Sequence, residues 1–200
     1  MMIRDIRSAI LLFALLSLLS CSSGKKAADA EAKPTHIKWL SVTDLDKLAS
    51  EKSWKKESRM VVVDIYTDWC GWCKVMDRNT FSQSNIISYV SDNFYAVKLD
   101  AEMTDTIEFR EKKYGFRGSG RRGAHELAIE WGMSNGGIGY PTIAFLDSTL
   151  KKVGTMPGYK DVTEMEAMLI YFKEGHYKSQ NWPQWFTDYQ KAKIPNQYAD

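Results

Sequence analysis

Met60-Val61-Val62-Val63-Asp64-Ile65-Tyr66 is a β-branched run interrupted by one charge. A run of that length predicts a strand buried on both faces. The period then changes. Lys74, Val75 and Met76 continue without a breaker, as a helix would. Ile86, Ile87 and Val90 share one face of a second helical segment over 85–90. Phe94 to Leu99 predicts the next strand, and Thr104 to Tyr114 a helix capped by Thr104 and stopped by Gly115. Upstream, organised pattern begins near Ile37, and Thr43 is placed to cap a short helix carrying Leu45 and Leu48.

Residues 115–139 break this rhythm with glycines at 115, 118, 120, 123, 132, 136, 137 and 139. They bracket one helical piece, Ala124 to Trp131, with Leu127, Ala128 and Trp131 on a common face. The segment reads as an insertion of loop, helix and loop. Pro141 to Leu146 and Lys151 to Met156 then predict two strands joined by a short turn, hence a hairpin. Asp161 can cap a last long helix with Met165, Met168, Leu169 and Phe172 on its apolar face. Trp182, Trp185, Phe186 and Tyr189 recur at helical spacing in the tail, which predicts a short helix packed back on the domain. Alternation followed by a hairpin points to an α/β fold: a central mixed sheet flanked by helices.

Composition narrows the classes. With 200 residues, 44% hydrophobic and 26% charged, the chain has the makeup of one globular domain with extensions. A net charge of +2 without a basic stripe argues against a nucleic-acid partner. The N-terminus reads as an export signal: Arg4 and Arg7 precede the apolar stretch Ala9 to Leu19, then Ser20 and Cys21. Leu18-Leu19-Ser20-Cys21 resembles a bacterial lipobox, which implies acylation of the Cys21 thiol and cleavage before it. The expected organisation is a lipoprotein signal peptide over 1–20, a lipid-anchored flexible linker over 21–36, a folded domain over 37–178 and a helical tail over 179–200. A polar tether held by acyl chains places the domain at a bacterial envelope membrane, facing the periplasm. Ser22 lacks the acidic signal that retains some lipoproteins at the inner membrane, so the outer membrane is slightly favoured.

Cys70 and Cys73 form a CxxC pair directly after the first strand and at a helix start. Unpaired N–H groups and the helix dipole stabilise a thiolate there, and the thiolate is the attacking species in thiol–disulfide exchange. Cys70 is thus the expected nucleophile and the more exposed sulfur, with Cys73 resolving the mixed disulfide. Three rival readings remain. Zinc would need about four ligands, and His36, His125 and His176 show no paired spacing. A structural disulfide suits an oxidising compartment but does not explain the strand before and the helix after. Haem attachment would need histidine where Lys74 stands.

Val61-Val62-Val63-Asp64-Ile65-Tyr66-Thr67-Asp68-Trp69-Cys70-Gly71-Trp72-Cys73-Lys74 resembles the active-site strand and turn of the thioredoxin family. Tyr140-Pro141-Thr142 resembles its cis-proline segment, with the glycine-rich insertion just before it. Asn79-Thr80-Phe81 adds a likeness to exported bacterial members, of the type that forms the C-terminal domain of the thiol:disulfide interchange protein DsbD. The resemblance covers residues 37–178 and implies a thioredoxin fold.

It also implies roles for particular residues. Asp64 matches the family's buried acid, which can take the Cys73 proton, and Lys98 the lysine beside it. Trp69, Gly71, Trp72, Tyr140 and Pro141 match the surface that meets substrate. The implied activity is disulfide reduction or isomerisation in exported proteins, fed by a membrane thiol donor, with no cofactor and no metal. Strong oxidants of the fold commonly place histidine between the cysteines; Trp72 stands here, so a reducing direction is expected. The competing class is a non-catalytic binding or chaperone module on the same scaffold. Arg117, Arg121 and Arg122 in the insertion either steer an acidic partner or sit in a solvated loop.

Overall fold

A computed structural model describes residues 33–57, 59–119 and 123–193. Residues 1–32, with the signal peptide, Cys21 and most of the linker, lie outside the described residues, as do Arg121 and Arg122.

The chain begins with β1 (Trp39–Leu40), α1 (Val42–Ala49), the single turn α2 (Trp54–Glu57) and β2 (Met60–Tyr66). Then come α3 (Gly71–Asn79), α4 (Ser84–Asn93) and β3 (Phe94–Asp100). Short strands follow: β4 (Ile107–Phe109), β5 (Lys112–Tyr114), β6 (Phe116–Arg117) and β7 (Ala124–His125). The chain continues through α5 (Glu126–Gly132), β8 (Thr142–Leu146), β9 (Lys152–Pro157), α6 (Val162–Lys173) and α7 (Trp182–Lys193). The central sheet runs β1-β3-β2-β8-β9. β1, β3 and β2 are parallel, while β8 and β9 run antiparallel to their neighbours. The mixed sheet and the predicted hairpin are therefore both present.

Period two sorts the side chains of this sheet. Met60 and Val62 of β2, Phe94 and Ala96 of β3, and Ile143 and Phe145 of β8 pack with α3, α4 and α6. Val61, Val63, Ile65, Val97, Leu99, Ala144 and Leu146 face α1 and α5. Two buried faces explain why β2 reads as an unbroken apolar run. The same alternation carries Asp64 and Lys98 onto the α3 face, and the parallel register sets them directly opposite. Phe145 and Phe172 stack at 3.9 Å between centroids. Gly154 admits that ring, since a Cβ there would lie 2.3 Å from it. On the outer side of α6, Trp185 of α7 is buried against Tyr171, as the aromatic spacing of the tail predicts.

Three local expectations are corrected. Ser41, not Thr43, caps α1: its hydroxyl accepts from Asp44 N–H at 3.0 Å, and Asp44 returns the bond in a capping box. The helical piece in the insertion starts at Glu126, because Ala124 and His125 pair with β6 first.

The third correction is larger. Residues 104–114 form no helix; β4 and β5 make a hairpin with Ile107 opposite Tyr114. Arg110 and Glu111 turn it with φ of 53° and 64°, and Arg110 N–H donates to Asp46 Oδ1 at 3.1 Å. Ile107, Phe109 and Tyr114 are buried, with Phe109 edge-on to Trp131 at 5.3 Å. Burial against α1 and α5 outweighs the capping signals of Thr104 and Gly115, which read only the local chain.

Candidate active site

The carboxyl end of β2 leads through a tight turn into α3. Cys70 N–H donates to Thr67 O at 3.1 Å, which closes the turn. Cys70 is the N-cap of α3, and its Sγ accepts from Cys73 N–H at 3.0 Å. A sulfur at this position receives the helix's unpaired N–H groups, and no acid lies in the first turn to oppose a negative charge. Cys70 and Cys73 form a disulfide with Cα atoms 5.3 Å apart. Both residues are buried to a similar degree, so Cys70 is not the more exposed of the two in this oxidised form. What separates them is the cap position, which Cys70 alone holds. Nothing lies within 4 Å of where a Gly71 Cβ would stand, which leaves the helix entrance open to an incoming chain.

Asp64 is 1% exposed, on the α3 face of the sheet. Its Oδ2 takes Lys98 Nζ at 3.2 Å, while its Oδ1 is buried without a hydrogen-bond partner. Lys98 is not devoted to Asp64. Its Nζ also donates to both carboxylate oxygens of Asp77, at 2.6 and 2.8 Å. Asp77 stands one helical turn beyond Cys73 on α3, so Lys98 ties the redox helix to the buried acid. Burial pushes the Asp64 carboxyl up to about 6 against the attraction of Lys98, and the nearby Asp77 charge adds to the rise. Burial also opposes the charge on Lys98, but the two carboxylates outweigh it and raise its pKa. The two shifts agree once Lys98 is seen as shared: it stays charged, and only part of its field serves Asp64. Lys98 and Asp77 border an open cleft of about 480 Å³ with Trp39 and Phe81, which brings water to the outer end of this network.

The Tyr140–Pro141 bond is cis. It precedes β8, whose Thr142 and Ile143 pair with Ile65 and Asp64 of β2, so the segment lies beside the redox turn. Trp69 meets the Tyr140 ring edge to face at 6.0 Å. Trp72 is 61% exposed and tilts against Tyr159 at 5.4 Å.

The fold thus gathers Asp64, Lys98, Trp69, Gly71, Trp72, Tyr140 and Pro141 around the Cys70–Cys73 pair. His36 bonds Thr35 and lines the cleft at Lys98 and Asp77, while His125 caps α5 and His176 bonds Glu174. Arg117 pairs with Glu126 of α5 and is committed to the insertion. Two residues escaped the sequence reading. Asp77 carried one signal, its spacing of four from Cys73 on a helix. Tyr159 carried none, since only tertiary packing brings it to Trp72.

Residues 49–173 match the family model of the thioredoxin-like domain. The chain belongs to the thioredoxin-like family. Among curated relatives, it is 31% identical over 96 residues to the thiol:disulfide interchange protein DsbD of Yersinia enterocolitica. It is 26% identical over 101 residues to DsbD of Salmonella typhi. These stretches are 48% and 50% of this chain but 16% and 17% of those relatives, which are much longer proteins. Among solved structures, a thioredoxin-fold protein from Helicobacter pylori shares 20% identity with a TM-score of 0.48, covering 68% of this chain and 81% of that one. A protein from Bacteroides thetaiotaomicron solved in solution shares 24% with a TM-score of 0.47, covering 75% and 100%. The reduced C-terminal domain of Neisseria meningitidis DsbD shares 20% with a TM-score of 0.42, covering 68% and 98%. A CxxC pair at this place in a thioredoxin-like fold is a thiol–disulfide redox centre. No helix among the described residues is long and apolar enough to cross a membrane.

Proposed function

We propose that this chain reduces or isomerises disulfides of exported proteins through a Cys70/Cys73 dithiol–disulfide cycle. The observation that carries the reading is the N-cap sulfur of Cys70, on the helix whose Asp77 shares Lys98 with a buried acid poised near neutrality. In the reduced protein the Cys70 thiolate attacks one sulfur of a client disulfide, and the other client sulfur leaves as a thiolate that takes up a proton. The Cys73 thiol then gives its proton toward Asp64 and attacks Cys70 Sγ. The client's second sulfur departs, and two electrons have passed to the client. A thiol donor at the membrane restores the dithiol by the same exchange run on this disulfide.

Trp72 supports the reducing direction. It places an uncharged ring between the cysteines, so the helix terminus stabilises the Cys70 thiolate without an adjacent cation on that residue. A less stabilised thiolate makes the dithiol a better reductant. The lipobox reading of Cys21 supports a lipid-anchored, periplasm-facing domain within reach of exported clients, and Ser22 slightly favours the outer membrane.

A Cys73→Ser variant tests the central claim. With resolution blocked, Cys70 should hold clients as mixed disulfides, and mass spectrometry after non-reducing separation would name them. Absence of any trapped species would favour a binding module instead. Equilibration with glutathione tests direction, and a potential near those of strong periplasmic oxidants would overturn it. Metabolic labelling with a fatty acid, lost on Cys21→Ser, tests the anchor.

A further inference from the structure

Four aromatic rings flank the disulfide in two pairs. Trp69 meets Tyr140 at 6.0 Å, and Trp72 meets Tyr159 at 5.4 Å. Trp69 and Trp72 are 48% and 61% exposed, unusual values for tryptophan in a folded domain. Each pair joins one ring from the redox turn to one from the opposite bank. Tyr140 precedes the cis bond; Tyr159 follows Gly158, whose N–H donates to Pro141 O at 2.8 Å. Gly158 has φ of 84°, a conformation that lets the chain turn back after β9 and carry Tyr159 toward Trp72. The segments carrying Tyr140 and Tyr159 are thus tied to each other at Pro141, and each meets one tryptophan of the redox turn.

The walls differ in charge. On the Trp69–Tyr140 side, Asp68 adjoins Trp69 and Asp100 pairs in register with Tyr66 at the carboxyl ends of β3 and β2. Glu102 N–H donates to Asp100 Oδ1 at 2.9 Å, which folds that carboxylate into the same corner. None of the three acids makes an ion pair among the described residues. Two of them reach the wall itself: burial raises the Tyr140 phenol, and Glu102 and Asp100 add to the rise. On the Trp72–Tyr159 side the charges next in the chain are Lys160, whose Nζ donates to Pro157 O, and Asp161, whose carboxylate is taken up as the cap of α6. A segment lying across Cys70 therefore meets apolar rings on both sides of its own cysteine, with three acids on the Trp69 side and one cation beside one capping acid on the other.

We infer that the site selects extended, cysteine-bearing client segments with apolar or aromatic residues flanking the cysteine and a cationic residue toward Trp69. Tyr159 is a specificity-determining residue of that site. The inference rests on the oxidoreductase reading above and names the substrate class it takes. Aromatic rings bury large apolar area at small entropic cost, and the acidic corner attracts a cation within a Debye length of about 8 Å at physiological salt. Reaction begins when the Cys70 thiolate attacks the client sulfur, so better docking raises the rate of that first exchange.

The test uses full-length protein reduced beforehand with dithiothreitol, reacted in single turnover with short peptides. Each peptide carries its cysteine as a mixed disulfide with thionitrobenzoate, whose release is read by absorbance. The peptides place Phe or Gly beside the cysteine, and Lys or Glu two residues away on either side. Phe-flanked peptides should react about tenfold faster than Gly-flanked ones. Lys should outrun Glu on one side of the cysteine, by a ratio that shrinks between about 0.02 and 0.5 M salt. Each variant is read as a ratio of its own rates, so a general loss of activity does not enter. Tyr159→Ala should shrink the Phe/Gly ratio, and Asp68→Asn with Glu102→Gln the Lys/Glu ratio. Equal rates for all peptides in the unmodified protein would overturn the inference and leave the redox reading standing. Failure to reduce any peptide, and glutathione disulfide as well, would overturn the redox reading itself.

Discussion

Asp64 offers a direct measure of the electrostatics under the disulfide. Its carboxyl is held at about 6 instead of 3.8, chiefly because it is buried and only partly served by Lys98. The native state then binds a proton more tightly than the unfolded chain does. Stability from this group is full below about pH 4 and is lost as pH rises through about pH 6. The gap, at 1.36 kcal/mol for each pH unit, amounts to about 3 kcal/mol. Asp64→Asn keeps the shape and removes the titration, while Asp77 continues to hold Lys98. Urea unfolding of both oxidised proteins between pH 4 and pH 8 isolates the effect, since carboxylates remote from Asp64 and Lys98 cancel in the difference. The stability of Asp64→Asn relative to the parent should climb by about 2.5 kcal/mol across that range, with its midpoint near pH 5. Curves that run parallel within about 0.5 kcal/mol would refute the claim that Asp64 is buried and poorly compensated.

Further tests address the supports of the site. Asp77→Asn removes a negative neighbour and frees Lys98 for Asp64, so the midpoint of the same difference curve should move to lower pH; an unmoved midpoint would show that Lys98 is not shared. Gly154→Ala drives a methyl to within 2.3 Å of the Phe172 ring and should cost about 1–3 kcal/mol, read as a lower urea midpoint. Arg110→Asn with Glu111→Gly supplies residues that accept φ of 53° and 64°, and should stabilise the β4–β5 hairpin by about 1 kcal/mol. A loss of stability there would argue against the turn. Ser41→Ala should cost about 1 kcal/mol through the α1 cap, whereas Thr43→Ala should not lose a cap.

Much of the molecule was legible from neighbours in the chain. β2 carries its burial in six consecutive residues, α6 in its Asp161 cap and spaced methionines, and the redox turn in Trp69 to Cys73. These features depend on local patterning, where the sequence holds all the information. The hairpin at 107–114 was misread because Ile107, Phe109 and Tyr114 are alternately buried by Trp131 and α1, distant in sequence, while the local capping residues argue for helix. The same distinction runs through the site. The sequence marked Cys70 and Cys73 by their spacing, and Asp64, Lys98 and the proline segment through likeness to the family, as the candidate site. That Lys98 is divided between Asp64 and Asp77, and that Tyr159 meets Trp72, came only from strand register and helix packing. Charge sharing and ring contact are set by distances of a few ångströms between segments far apart in the chain, and only the folded structure fixes those distances.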